Sequence, residues 1–153
     1  MTTATATNGK RLTKEGQCCV CFNLRKASRA VTALYEEAMR STGLRATQLS
    51  MLGAASAFGP VTITQLAEGL VIDRTTLTRN VTLLQKKGLL AVEPGADKRE
   101  RRIAITAHGR RLMSSAYPLW KDVQHRLTKE LGMARAERLL DDLAALVKAA
   151  KCC

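Results

Sequence analysis

The sequence predicts a mostly helical fold with one small β-hairpin, and three observations carry that prediction. Apolar residues recur at three- and four-residue spacing through most of the chain, the mark of amphipathic helices. Only three prolines interrupt a sequence rich in Leu and Ala, both good helix formers. One stretch breaks the pattern: residues 89–93 and 102–106 read as short strands around a turn-forming, charge-loaded segment from Pro94 to Arg101.

The elements follow in order. Leu24, Ala27, Val31, Leu34, Tyr35 and Ala38 form one face of a first helix that ends near Gly43. Thr47 is placed to cap a second helix carrying Leu49, Leu52 and Ala55, and Gly59-Pro60 stops it. Thr62 and Gln65 have capping-box spacing, so a short helix with Leu66, Ala67 and Leu70 starts there. Asp73 is a good N-cap for a further helix that lines up Leu77, Val81 and Leu84 and stops at Gly88. After the hairpin, a long helix runs from about residue 107 to 129. A last one runs from about residue 134 to 150 and is expected to bury Leu139, Leu140, Leu143, Leu146 and Val147.

Two short helices joined tightly and followed by a hairpin make a winged helix-turn-helix. The long helices on either side carry more Leu and Ala surface than one domain needs, which points to a second copy of the chain. The expected organisation is a flexible tail over 1–16, a dimerisation helix over 17–46, the winged helix-turn-helix over 47–106 and dimerisation helices over 107–153.

Composition narrows the partner. Twenty-five Lys and Arg face thirteen Asp and Glu in 153 residues, a formal charge of +12. Such a chain attracts polyanions, either nucleic acid or an anionic membrane surface. No stretch approaches the ~20 apolar residues needed to cross a bilayer. The small, polar start from Met1 to Gly9 has no apolar segment of the kind found in a secretory signal, so the expected location is cytoplasmic. Only two His occur, and no metalloprotease, nucleophile-elbow or phosphate-loop motif is present, so the chain does not read as an enzyme.

The helix opening at Asp73 names the contact residues. Arg74, Thr75, Thr76, Thr78 and Arg79 fall on its outer face, opposite Leu77 and Val81. Threonine reaches base edges or a thymine methyl in the major groove, and arginine reaches guanine or phosphate. The hairpin adds Lys98, Arg99, Arg101 and Arg102, and an Arg at its tip can enter the minor groove, with Asp97 and Glu100 expected to hold the fork by salt bridges. A non-specific architectural nucleic-acid-binding protein is the alternative, separated from a regulator by sequence preference.

The stretch 62–109 resembles the DNA-binding segment of the MarR family of bacterial regulators. The matching residues are Thr62-Ile63, Leu66-Ala67, Asp73 to Arg79, the Leu84-x-x-x-Gly88-Leu89 exit, Asp97-x-Arg99 and Ile105-Thr106-x-x-Gly109. Thr47-Gln48-Leu49 and its following apolar helix fit as well. The resemblance implies a triangular homodimer with interlocked first and last helices, a recognition helix over 74–88 and a wing over 93–102. It further implies a pseudo-palindromic double-stranded DNA operator, repression of nearby genes, and release by a ligand or oxidant. No cofactor is required. A small organic effector would sit between the dimer layer and the DNA-binding lobe, where many relatives take aromatic or phenolic anions. Tyr35, Phe58 and Trp120 are candidates to line such a site, and core packing is the plainer job for each.

The cysteines fall in two clusters, Cys18, Cys19 and Cys21 near the start and Cys152 and Cys153 at the end. Three readings stand: inert terminal thiols, a thiol switch that forms an inter-subunit disulfide, or a site for a thiophilic metal or metalloid ion. Neighbouring Lys14, Arg25, Lys148 and Lys151 would favour thiolate.

Overall fold

The structure, a computed structural model, describes residues 16–95 and 100–152. Helix α1 spans Val20–Ala38, and a single 3-10 turn at Arg40–Thr42 leads to α2, Ala46–Phe58. Strand β1 is Val61–Thr62, α3 is Ile63–Leu70 and α4 is Arg74–Lys86. The hairpin strands β2 and β3 are Leu90–Pro94 and Arg101–Ile105, followed by α5, Ala107–Leu131, and α6, Met133–Cys152. No helix among the described residues is long and apolar enough to cross a membrane.

The sheet has three strands in the order β1-β3-β2, all antiparallel. The third strand was not expected. Val61 and Thr62 pair with Ile103 and Arg102, so the entry to α3 is fastened to the hairpin. Both hairpin strands sit one residue off the expected bounds, for local reasons. The N–H of Leu89 donates to the Leu84 carbonyl at 2.9 Å, closing the end of α4 around Gly88, whose φ is +68°. Thr106 leaves the strand because its hydroxyl accepts from the Gly109 N–H at 2.9 Å and caps α5.

The second helix also starts differently. Thr47 is not its cap. Arg45 holds the N-cap position, and its N–H donates to the side-chain oxygen of Gln48 at 3.2 Å. That bond satisfies Gln48, a buried polar side chain in an otherwise apolar core.

One core holds the winged helix together. Met51 and Leu52 of α2, Leu66 of α3, Leu77 and Leu84 of α4, Leu90 of β2 and Ile103 of β3 are all fully buried. Their spacing is that of one helical face or of alternate strand positions, as the apolar pattern requires. The terminal helices stand outside this core. Neither α1 nor α6 buries a residue within the chain. The expectation that α6 buries its leucines is therefore corrected. Leu139, Leu140, Leu143 and Val147 are exposed, Leu140 at 67%, because nothing in the same chain covers that face.

Helix α5 packs onto the hairpin through Gly109. A Cβ there would sit 2.3 Å from the Leu89 carbonyl oxygen and 2.9 Å from the Ile105 side chain. Gly109→Ala is expected to destabilise the fold by about 1–3 kcal/mol, the usual cost of forced overpacking. Gly53→Ala, in mid-helix with nothing within 4 Å of its Cβ, serves as the control; it should gain up to about 1 kcal/mol of helix propensity. Denaturant midpoints that coincide for the two variants would remove the Gly109–Leu89 approach as a constraint.

Candidate nucleic-acid interface

The helix pair α3–α4 is fixed at both starts by side-chain caps. Thr62 and Gln65 form a reciprocal capping box. The Gln65 N–H donates to the Thr62 hydroxyl at 3.1 Å, and the Thr62 N–H donates to Gln65 Oε1 at 3.0 Å. At the start of α4 the Asp73 carboxylate accepts from the Thr76 N–H at 2.8 Å. The hydrogen bonds from Thr76 hold the Asp73 carboxyl below its usual range. Between the helices, Val71 adopts a left-handed conformation with φ of +53°, which β-branched residues rarely take. Its turn is held by the Ile72 N–H donating to the Ala67 carbonyl at 3.0 Å.

With its inner face committed to Leu77, Val81 and Leu84, α4 turns Arg74, Thr75, Thr76, Thr78 and Arg79 outward, and all five are exposed. The threonines divide by role. The Thr78 hydroxyl donates back to the Arg74 carbonyl at 2.7 Å, and Thr82 does the same to Thr78 at 2.9 Å. Thr78 thus spends its proton on the helix, while its methyl group and an acceptor lone pair remain. Neither Arg74 nor Arg79 makes an ion pair among the described residues.

The wing is closed by the Gly95 N–H donating to the Glu100 carbonyl at 2.8 Å. Arg101 is exposed opposite Pro94. Arg102 is not a free cation, because its guanidinium pairs with Glu100 at 3.1 Å. Glu100 therefore takes the fork-holding role expected of it. Lys98, Arg99 and Asp97 lie outside the described residues.

Helix α4 and the long α5 meet at Thr106. Its hydroxyl donates to the Gly88 carbonyl at 2.7 Å and accepts from the Gly109 N–H. The Thr106 N–H donates to the Leu89 carbonyl at 3.1 Å. The Ile105-Thr106-x-x-Gly109 motif thereby acquires a physical reason: a cap, a clamp on the exit of α4, and a glycine that lets backbone approach.

Above this lobe, α1, α2 and α5 enclose a cavity of about 400 Å³ lined by Tyr35 and Met39, Ser50 and Gly53, and Met113 and Trp120. Tyr117, one turn before Trp120, stacks on it at 5.7 Å between ring centroids. Of the aromatic candidates, Tyr35 and Trp120 reach this cavity. Phe58 does not; it is 68% exposed at the end of α2 and lies outside the core. Sequence reasoning missed Met39, Ser50, Gly53, Met113 and Tyr117, which come together only in three dimensions.

Cys18, Cys19, Cys21 and Cys152 are free, exposed thiols, and Cys153 lies outside the described residues. Among the described residues, no three His, Cys, Asp or Glu side chains group closely enough to hold a metal ion within one chain. His108 and His125 are exposed on α5.

A winged helix with a capped, exposed, cationic helix ahead of its hairpin defines a DNA-binding transcriptional regulator. The sequence pattern of the MarR family matches residues 42–100. The chain is similar to the M. tuberculosis transcriptional regulator MosR, solved in complex with DNA. The two share 39% identity over 88% of this chain and 98% of that one, with a TM-score of 0.81. A second MosR structure gives 36% identity over 88% and 97%, with a TM-score of 0.75. A probable transcriptional regulator from Pseudomonas aeruginosa gives 25% identity over 83% and 96%, with a TM-score of 0.76. No curated protein sequence matches. The chain belongs to the MarR family, whose members are transcriptional regulators and not enzymes.

The Asp73 cap has a pH signature. Its carboxyl is depressed in the folded state, so the cap contributes fully above the unfolded value and is lost as pH falls through the folded one. Protection of the Thr76 amide, corrected for intrinsic exchange, should fall with acid below roughly pH 4. In Asp73→Asn, which keeps an acceptor oxygen, it should be nearly flat over that range. The same acid dependence in Asp73→Asn would assign it to another group.

Proposed function

We propose that the chain is a homodimeric repressor that binds a pseudo-palindromic DNA operator and is released by an effector. The exposed face of α4 carries this reading: Arg74 and Arg79, which make no ion pair among the described residues, stand beside Thr75, Thr76 and Thr78 on a helix whose start is fixed by Asp73. An exposed helix with a rigid entry is what major-groove readout needs, and Arg is the usual partner of guanine. Arg101, together with Lys98 and Arg99 from the sequence, supplies the wing contacts. The homodimer follows from the uncovered apolar faces of α1 and α6, where Phe22, Val31, Leu140 and Val147 all face water in one chain. A twofold pair of reading heads matches a palindrome with half-sites about one helical turn apart.

The terminal thiols offer a second route to release. Oxidation of Cys18, Cys19, Cys21, Cys152 or Cys153 to an inter-subunit disulfide would lock the dimer layer, and a thiophilic ion would bridge it.

Selection from random duplexes should return a twofold-symmetric sequence bound by two chains and preferred over random DNA by at least ~10³-fold. On it, Arg79→Ala should cost about 1–3 kcal/mol and relax the base preference, whereas Arg101→Ala should weaken binding and lower the salt slope. If selection returns no preferred sequence, the chain is a non-specific binder. For the thiols, operator binding is titrated against peroxide and against thiophilic ions, in the parent and with all five cysteines replaced by Ser. Release in the parent alone is expected. No release, or release in both, means the thiols carry no signal.

A further inference from the structure

Helix α6 starts at the end of α5 remote from the hairpin and comes back. Its stretch Met133–Cys152 spans about 30 Å, and its last turn reaches the winged-helix lobe of the same chain. There the Lys151 ammonium donates to the Glu68 carbonyl at 3.4 Å, across 83 positions of sequence. Glu68 lies in the last turn of α3, where carbonyls lack a partner within the helix and carry partial negative charge. A cationic donor suits that end of a helix on both counts.

The turn beside this contact is strained. Val71 ends α3 with φ of +53°, a conformation that Gly adopts freely and β-branched residues rarely take. Both helix-closing bonds form around it: the Val71 N–H donates to the Glu68 carbonyl at 3.3 Å and the Ile72 N–H to the Ala67 carbonyl at 3.0 Å. The Glu68 carbonyl therefore accepts from Val71 and Lys151 together, one bond for each lone pair. The Val71 side chain is exposed, so burial does not hold it in place. A strained backbone persists where its surroundings over-determine it, and Lys151 is a hold that the turn does not supply for itself. Only Val71 and Ile72 stand between α3 and the Asp73 cap, so this turn sets the entry of α4. Glu68, Val71, Ile72, Arg74 and Lys151 line one cleft, which places the first residue of α4 beside the contact.

We infer that Lys151 is a positioning residue for DNA readout. From the end of α6 it holds the strained turn between α3 and α4, and so couples a helix of the proposed dimer layer to the helix proposed to enter the major groove. The inference rests on the reading of the chain as a sequence-specific regulator.

The test compares the full-length parent with Lys151→Ala, Lys151→Arg, Lys148→Ala, Val71→Gly and the double variant Val71→Gly/Lys151→Ala. All are kept reduced, so that Cys152 beside Lys151 stays a thiol. Affinity is measured on the operator returned by selection, over a range of salt, and exchange of the Ile72 amide is followed without DNA. Lys151→Ala should weaken operator binding about 3–10-fold and speed Ile72 exchange at least ~3-fold, with the salt slope unchanged. Lys151→Arg, which restores a cationic donor, should return both readouts to within about 2-fold of the parent. Lys148→Ala, one turn earlier on the same helix, should leave both as they are. Gly at position 71 adopts the left-handed conformation without strain, so Lys151→Ala should change affinity by less than about 2-fold in the Val71→Gly background. Four results overturn the inference: Ile72 exchange unchanged in Lys151→Ala, an equal loss in Lys148→Ala, the same loss of affinity with and without Val71→Gly, or a salt slope lower by about 1, which assigns Lys151 to a phosphate instead. A parent protein with no preferred DNA sequence overturns the regulator reading and this inference with it. A preferred sequence together with any of the four overturns this inference alone.

Discussion

Thr106 stands where three elements meet, and the geometry of the reading head depends on it. Its hydroxyl reaches back 18 residues to the Gly88 carbonyl at the exit of α4 and accepts the Gly109 N–H in the first turn of α5. Its backbone N–H holds the Leu89 carbonyl that begins the wing. Gly109, one turn further on, removes the side chain that would keep Leu89 away. These contacts turn a helix, a hairpin and a second helix into one body, so the direction of α5 is set by the direction of α4. Few alternatives would satisfy the same groups: a helix exit and a helix start each leave backbone groups unpaired, and here one hydroxyl serves both.

That body has a complete core, and the terminal helices do not share it. The apolar positions of α3, α4 and the hairpin converge on Leu77, Leu84 and Ile103, each fully buried. The apolar positions of α1 and α6 converge on nothing in the same chain. Both sets have helical periodicity, so periodicity alone cannot say which will be covered from within. The division agrees with the proposed homodimer, in which two winged-helix lobes stand at a fixed spacing. The winged-helix lobe is complete on its own, and the apolar faces of the terminal helices are the ones that a second copy would cover under the proposed homodimer.

The features legible in the sequence were those decided over a few residues. The Thr62–Gln65 box, the Asp73 cap and the stop at Gly88 each depend on neighbours within one turn, and each forms where the spacing places it. Thr47 shows the limit of the same logic. It is a good capping residue, yet the helix begins earlier because Gln48 closes onto the Arg45 N–H. The strand at Val61 was illegible for another reason. Two residues carry no periodicity, and their pairing with Ile103 joins positions some forty apart in sequence. The recognition face was legible as a set of residue types, but not the division within it. Only the coordinates reveal that the Thr78 proton is used by its own helix. The cavity was least legible of all. Tyr35 and Trp120 are ordinary amphipathic-helix residues until three helices bring them together around a space that neither fills.

The same helix that Thr106 clamps carries the cavity wall. Met113, Tyr117 and Trp120 lie along α5, between one and four turns beyond its start, while the opposite wall belongs to α1 and α2. An occupant of the cavity therefore bears on α5, and α5 cannot turn relative to α4 without breaking the Thr106 clamp. A turn of α5 would then carry the whole winged-helix lobe with it, rather than distort α4 within it. Energetics impose a second condition: a ligand shifts the operator-bound and free arrangements only by the difference in its affinity for the two.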